Sequence, residues 1–98
     1  MDEKRILEEA INVFGVDNQT DMISEEAGEL VAAVNQFKRS RKTIEEFLEE
    51  VVDVEIMLEQ ARIMYDPEDE YCSMIRQKKL KRLGKRVAQE RNKQRRSG

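Results

Sequence analysis

Apolar residues return every three or four positions along most of this chain, and nowhere do they alternate over a strand-length run. That period belongs to the α-helix. From Glu3 to Phe14 the residues Ile6, Leu7, Ala10, Ile11 and Phe14 share one face. Asp2 stands where an N-cap belongs, and Gly15 can end the helix in the left-handed conformation. A second helix is expected from a start among residues 18–20 to about Phe37, with Ile23, Ala27, Leu30, Val34 and Phe37 turned inward. Thr43 and Glu46 have the spacing of a capping box, which opens a third helix. Its stripe reads Ile44, Phe47, Val51, Val54, Leu58, Ala61 and Tyr65. Asp66 as a cap and Pro67 at the first helical position predict a fourth helix carrying Tyr71, Ile75, Leu80, Leu83 and Val87. Past about Arg91 the tail "NKQRRSG" has nothing to bury and is expected to fray or be disordered. The pattern predicts an all-α, four-helix bundle-like domain over residues 1–91, followed by a basic tail at 92–98.

Length and composition sharpen this picture. Ninety-eight residues make one domain with a small core. Aromatics are 5% and charged residues 40%, a balance that favours helices and leaves much of the surface wet. No apolar run approaches the roughly 20 residues that span a bilayer, and "MDEKRILEE" lacks a signal-peptide pattern, so a cytoplasmic protein with no membrane partner is expected. The lone Cys72 cannot form an internal disulfide and reads as a core or contact residue. Charge is unevenly spread. Residues 1–70 hold 20 acids against 7 Lys and Arg, a balance of −13, whereas residues 71–98 hold 11 Lys and Arg against one acid, Glu90, a balance of +10. An acidic body with a basic end can bind cations in one place and phosphates in another.

The acids are concentrated in two places. "ISEEAGELVAA" sets Glu25, Glu26 and Glu29 along the edge of the second helix's stripe, and "EEVVDVEIML" sets Glu50 and Asp53 three residues apart on the third. An antiparallel pairing of these helices brings five carboxylates to one cleft. Acid pairs at helical spacing are most often solvated surface. Here, however, they border both apolar stripes, and the positions four residues after Glu29, Glu50 and Asp53 are Ala33, Val54 and Met57 rather than cations. Crowded carboxylates repel each other, and a divalent cation turns that repulsion into shared coordination. Oxygen ligands without His or thiolate nearby favour Mg²⁺ or Mn²⁺ over Zn²⁺. Both readings, solvated face and cation site, stand on spacing alone.

The order of these motifs carries a resemblance. "EEAGE" followed by "EVVD" is similar to the Glu-Glu-x-x-Glu, Glu-x-x-Asp signature of the all-α nucleoside triphosphate pyrophosphohydrolases, the MazG-like proteins related to the dimeric dUTP pyrophosphatases. "EEAGELVAAVNQFKR" resembles that family's second helix and "TIEEFLEEVVDVEIMLEQ" its third, covering about residues 19–62. The resemblance implies a MazG-type four-helix fold completed by oligomerisation, as a homodimer or homotetramer. It implies Mg²⁺ (or Mn²⁺) held by Glu26, Glu29, Glu50 and Asp53, with a (d)NTP cleaved to (d)NMP and pyrophosphate by water attack at the α-phosphorus. Glu25 or Glu26 would orient or deprotonate that water. Lys38, and Lys78 and Lys79 if the fourth helix covers the cleft, are candidates for the phosphates. Gly28 leaves room for a close approach by backbone or ligand, or is a tolerated small residue. Met57, Ile63 and Met64 offer the third helix a second apolar side for a partner chain. The competing reading is a nucleic-acid-binding or adaptor module that works through "IRQKKLKRLGKRVAQERNKQRR".

Overall fold

A computed structural model of the chain describes residues 2–97, which form four α-helices and no strand. They are α1 (Glu3–Phe14), α2 (Val16–Lys38), α3 (Ile44–Tyr65) and α4 (Cys72–Ser97). The chain divides into two compact units, residues 1–67 with α1 to α3 and residues 68–98 with α4.

In the first unit the Asp2 carboxylate accepts the Arg5 N–H at 2.8 Å and caps α1 as expected. Gly15 ends α1 with φ 91° and ψ 150°, a positive φ that glycine tolerates, but extended rather than left-handed helical. This single residue turns the corner, and the Gln19 N–H already reaches the Gly15 carbonyl at 3.0 Å. The second helix therefore starts at Val16, before the expected caps at residues 18–20. Thr20 does not cap. Its hydroxyl donates back to the Val16 carbonyl at 2.8 Å, which leaves Tyr65 Oη as the donor in their 2.6 Å contact. At the other end of α2, Ser40 (φ 59°) donates its N–H to the Phe37 carbonyl and Arg41 donates to Gln36, a Schellman motif without its usual glycine. Thr43 and Glu46 form the complete capping box that opens α3.

Two contacts show that α2 and α3 run antiparallel. The rings of Phe37 and Phe47 stack with centroids 5.0 Å apart next to the loop. At the far end, Gln19 Nε2 donates to Gln60 Oε1 at 2.6 Å, and both residues are buried. The buried apolar residues between and beside them are Ala33 and Met57, while α1 lays the half-buried Leu7, Ala10 and Ile11 against the pair. Both inner stripes differ from those expected. On α2 Ala27 is exposed, and the inward line runs through Gln19, Ile23, Glu26, Leu30 and Ala33. On α3 Ile44, Leu58 and Tyr65 face out, while Met57 and Gln60 are buried and Ile63 and Met64 half-buried. Met57 is thus core rather than a partner-facing residue. The reason is that α3 carries apolar residues on nearly every side, so its period alone does not select the inner face. The outward apolar line is Ile44, Leu48, Val52 and Ile56, at four-residue spacing.

The second unit also departs from expectation. Asp66 closes α3, donating its N–H to the Arg62 carbonyl at 2.8 Å, rather than opening α4. Pro67 lies in a turn, and Asp69 takes φ 50°. The Asp69 carboxylate accepts the Ser73 N–H at 3.1 Å and the Ser73 hydroxyl, so α4 begins at Cys72 instead of Pro67. None of its residues is buried. It continues through Ser97, past the expected end near Arg91, and takes in residues 92–97 of the basic tail, whose last residue, Gly98, lies outside the described residues. Lys, Arg and Gln are good helix formers, no Gly or Pro occurs from Lys85 to Ser97, and Arg95 and Arg96 complement the helix's negative C-terminal end.

Candidate metal centre

The inward line of α2 includes an acid. Glu26 lies two turns after Gln19 and one turn before Leu30, and it is half-buried where the period would place an apolar residue. Glu29 follows one turn on, at the exposed rim. Across the interface α3 contributes the half-buried Glu50, one turn after Phe47. One carboxylate oxygen from each of Glu26, Glu29 and Glu50 lies within 4.8 Å of the other two. The aromatic stack and the paired glutamines hold the two helices in register on either side of these acids.

The electrostatics are those of a repulsive cluster. Burial holds the Glu26 carboxyl above its ordinary value, and the charges of Glu29, Asp53 and Glu50 push in the same direction, as does a hydrogen bond with Glu29. Glu26 Oε2 and Glu50 Oε2 are shielded from solvent and accept no hydrogen bond. No acid of the cluster is in an ion pair among the described residues. Buried carboxylate oxygens normally find donors. Two that do not, beside a third carboxylate and with only oxygen available, form a donor set suited to a hard divalent cation.

The remaining expected residues are distributed as follows. Asp53 is exposed and acts on Glu26 through its charge, but it stands outside the close group of three. It lines an open groove on α3 with Glu49, Leu48 and Val52. Glu25 is exposed and also outside the group. Lys38 is exposed in the last turn of α2, and Lys78 and Lys79 are exposed on α4, in the second unit. A Cβ built on Gly28 meets nothing within 4 Å, so no close approach within the chain requires glycine there. The residues that sequence reasoning missed are Gln19 and Gln60. Gln19 lies seven positions before Glu26 and so on its face, a usable signal, but it stands beside Asn18 and Thr20, which read as caps.

Comparison with protein-family models, with curated proteins and with solved structures finds no match to this chain. What is established is therefore an all-α chain whose α2–α3 pair gathers an acidic triad able to hold a metal ion. No helix among the described residues is long and apolar enough to cross a membrane.

Proposed function

We propose that this chain is a Mg²⁺-dependent nucleoside triphosphate pyrophosphohydrolase of MazG type, converting a (d)NTP to the monophosphate and pyrophosphate. The observation that carries the reading is the facing of Glu26 and Glu29 on α2 by Glu50 on α3, with two carboxylate oxygens shielded and without donors. The order of the "EEAGE" and "EVVD" motifs that supply these acids supports it. Glu26, Glu29 and Glu50 hold the metal, and Asp53 completes the acidic field from the exposed side. Bound Mg²⁺ neutralises phosphate charge and makes water a better nucleophile.

The chain's own contribution is geometric and acid–base. The α2–α3 register keeps the carboxylates opposed before any ligand arrives, so little reorganisation accompanies binding. Glu25 sits next to the triad without belonging to it, and it is free to orient the attacking water and take its proton. The exposed line Ile44, Leu48, Val52 and Ile56 is the face for a second copy, which gives a homodimer or homotetramer. Incubation with a panel of nucleoside triphosphates and Mg²⁺, read as monophosphate plus pyrophosphate, tests the activity. Glu29→Gln and Glu50→Gln should each lower the rate by at least about 100-fold, as loss of a group in a metal site does. A folded wild type that turns over no nucleotide of the panel refutes the reading, and a monomer by light scattering refutes the assembly.

A further inference from the structure

The acidic site leaves α4 unexplained. Its 26 residues run from Cys72 to Ser97 with none buried. Between Arg76 and Arg96 lie 11 Lys and Arg against the single acid Glu90. All 11 are exposed, and none is in an ion pair among the described residues. At 100° per residue, eight of them, from Lys78 to Arg96, fall within an arc of about 160°. Leu80, Leu83 and Val87 occupy a separate arc of about 60° on the other side. Because α4 runs through Ser97, these cations form a ridge about 27 Å long at 1.5 Å per residue.

We propose that α4 is a binding helix for the phosphate backbone of nucleic acid, without preference for sequence. Duplex DNA carries one charge per about 1.7 Å of axis, so every cation on the ridge can find a phosphate. A lipid surface is a poorer fit. An interfacial helix needs a sustained apolar face with bulky anchors, whereas α4 has no Phe or Trp and no apolar residue after Ala88. The absence of aromatics on α4 also removes base stacking, which leaves charge as the source of affinity. The whole chain carries a net charge of −3, so the attraction belongs to this helix and not to the protein's overall charge.

The test uses the full chain in EDTA without nucleotide, so it does not depend on hydrolysis. Binding to a fluorescent 20-base-pair duplex is followed by anisotropy between 50 and 200 mM NaCl. With six to eight phosphates neutralised, affinity should fall by roughly three to four orders of magnitude across that range. The variant Lys81→Gln/Arg82→Gln/Lys85→Gln/Arg86→Gln should flatten the log–log salt slope by about 3–4. Its helicity should be unchanged, because Gln is a comparable helix former. Leu80→Ser/Val87→Ser should bind the duplex like the wild type. The proposal is overturned by no binding at 50 mM salt or by an unchanged slope in the four-site variant. Capture by phosphatidylserine vesicles in place of DNA, or loss of DNA binding in the Leu80/Val87 variant, overturns it as well.

Discussion

Consider Glu26→Gln, which keeps the shape of a half-buried side chain and deletes one charge from a triad in which one oxygen of each carboxylate lies within 4.8 Å of the other two. At that distance two unit charges repel by about 0.9 kcal/mol at the dielectric constant of water and about 3.5 kcal/mol at an effective value of 20. The substitution removes two such pairs, with Glu29 and with Glu50. Glu29 is exposed, so solvent and salt screen its share of the repulsion, and Glu50 is only half-buried. About 1–2 kcal/mol of net stabilisation is left, or roughly 5–10 °C in Tm for a domain of this size. Thermal melts in EDTA at pH 8 should therefore place the variant above the wild type. Addition of 10 mM MgCl₂ at matched ionic strength should reverse the order. The wild type gains about 2.7 kcal/mol if the free metal is 100 times its Kd, and the variant, short of one ligand, gains less than half as much. A variant that is less stable in EDTA, or that responds to Mg²⁺ like the wild type, refutes the reasoning. The pH dependence follows with a definite sign. The folded protein holds the Glu26 proton more tightly than the unfolded chain, so the metal-free protein is favoured at low pH. It loses that contribution as pH rises from about the ordinary value of 4.5 through the raised one, and Glu26→Gln should remove the trend.

Three further outcomes test the scaffold. Thr43→Ala should cost about 1 kcal/mol in urea unfolding by removing the cap of α3. The Thr43 backbone N–H, with a smaller part from its side chain, holds the Glu46 carboxyl below its ordinary value, so its contribution is present above that value and lost as pH falls through the lowered one; alanine keeps that N–H, so Thr43→Ala should keep most of this acid limb and Glu46→Gln should lose it. Gly28→Ala should stabilise the free protein by about 1 kcal/mol, since its Cβ enters open space on a helix, and a simultaneous loss of hydrolysis would show that the ligand needs the gap. Gln60→Ala strands the buried Gln19 amide and should cost about 2–3 kcal/mol, whereas Gln19→Leu/Gln60→Leu should be nearly neutral by the same urea assay.

What a single chain position can decide was legible before folding. Asp2 and the Thr43/Glu46 box mark helix starts because caps act within one turn, and the apolar period announces an all-α chain because side chains repeat every 3.6 residues. The five acids could likewise be selected from spacing. Spacing could not rank them, because rank depends on which face turns inward, and α3 is apolar on too many sides for its period to choose. The packing against α2 makes that choice. It buries Met57 and Gln60, exposes Leu58, and puts Glu26 on the inner line where Ala27 was expected. The same choice leaves Asp53 at the rim and brings Glu26, Glu29 and Glu50 together. Sequence by itself determined which acids border the helix interface and in what order they come along the chain. Only the tertiary structure decided which of them lose their water, because desolvation belongs to the contact between helices and not to either helix alone.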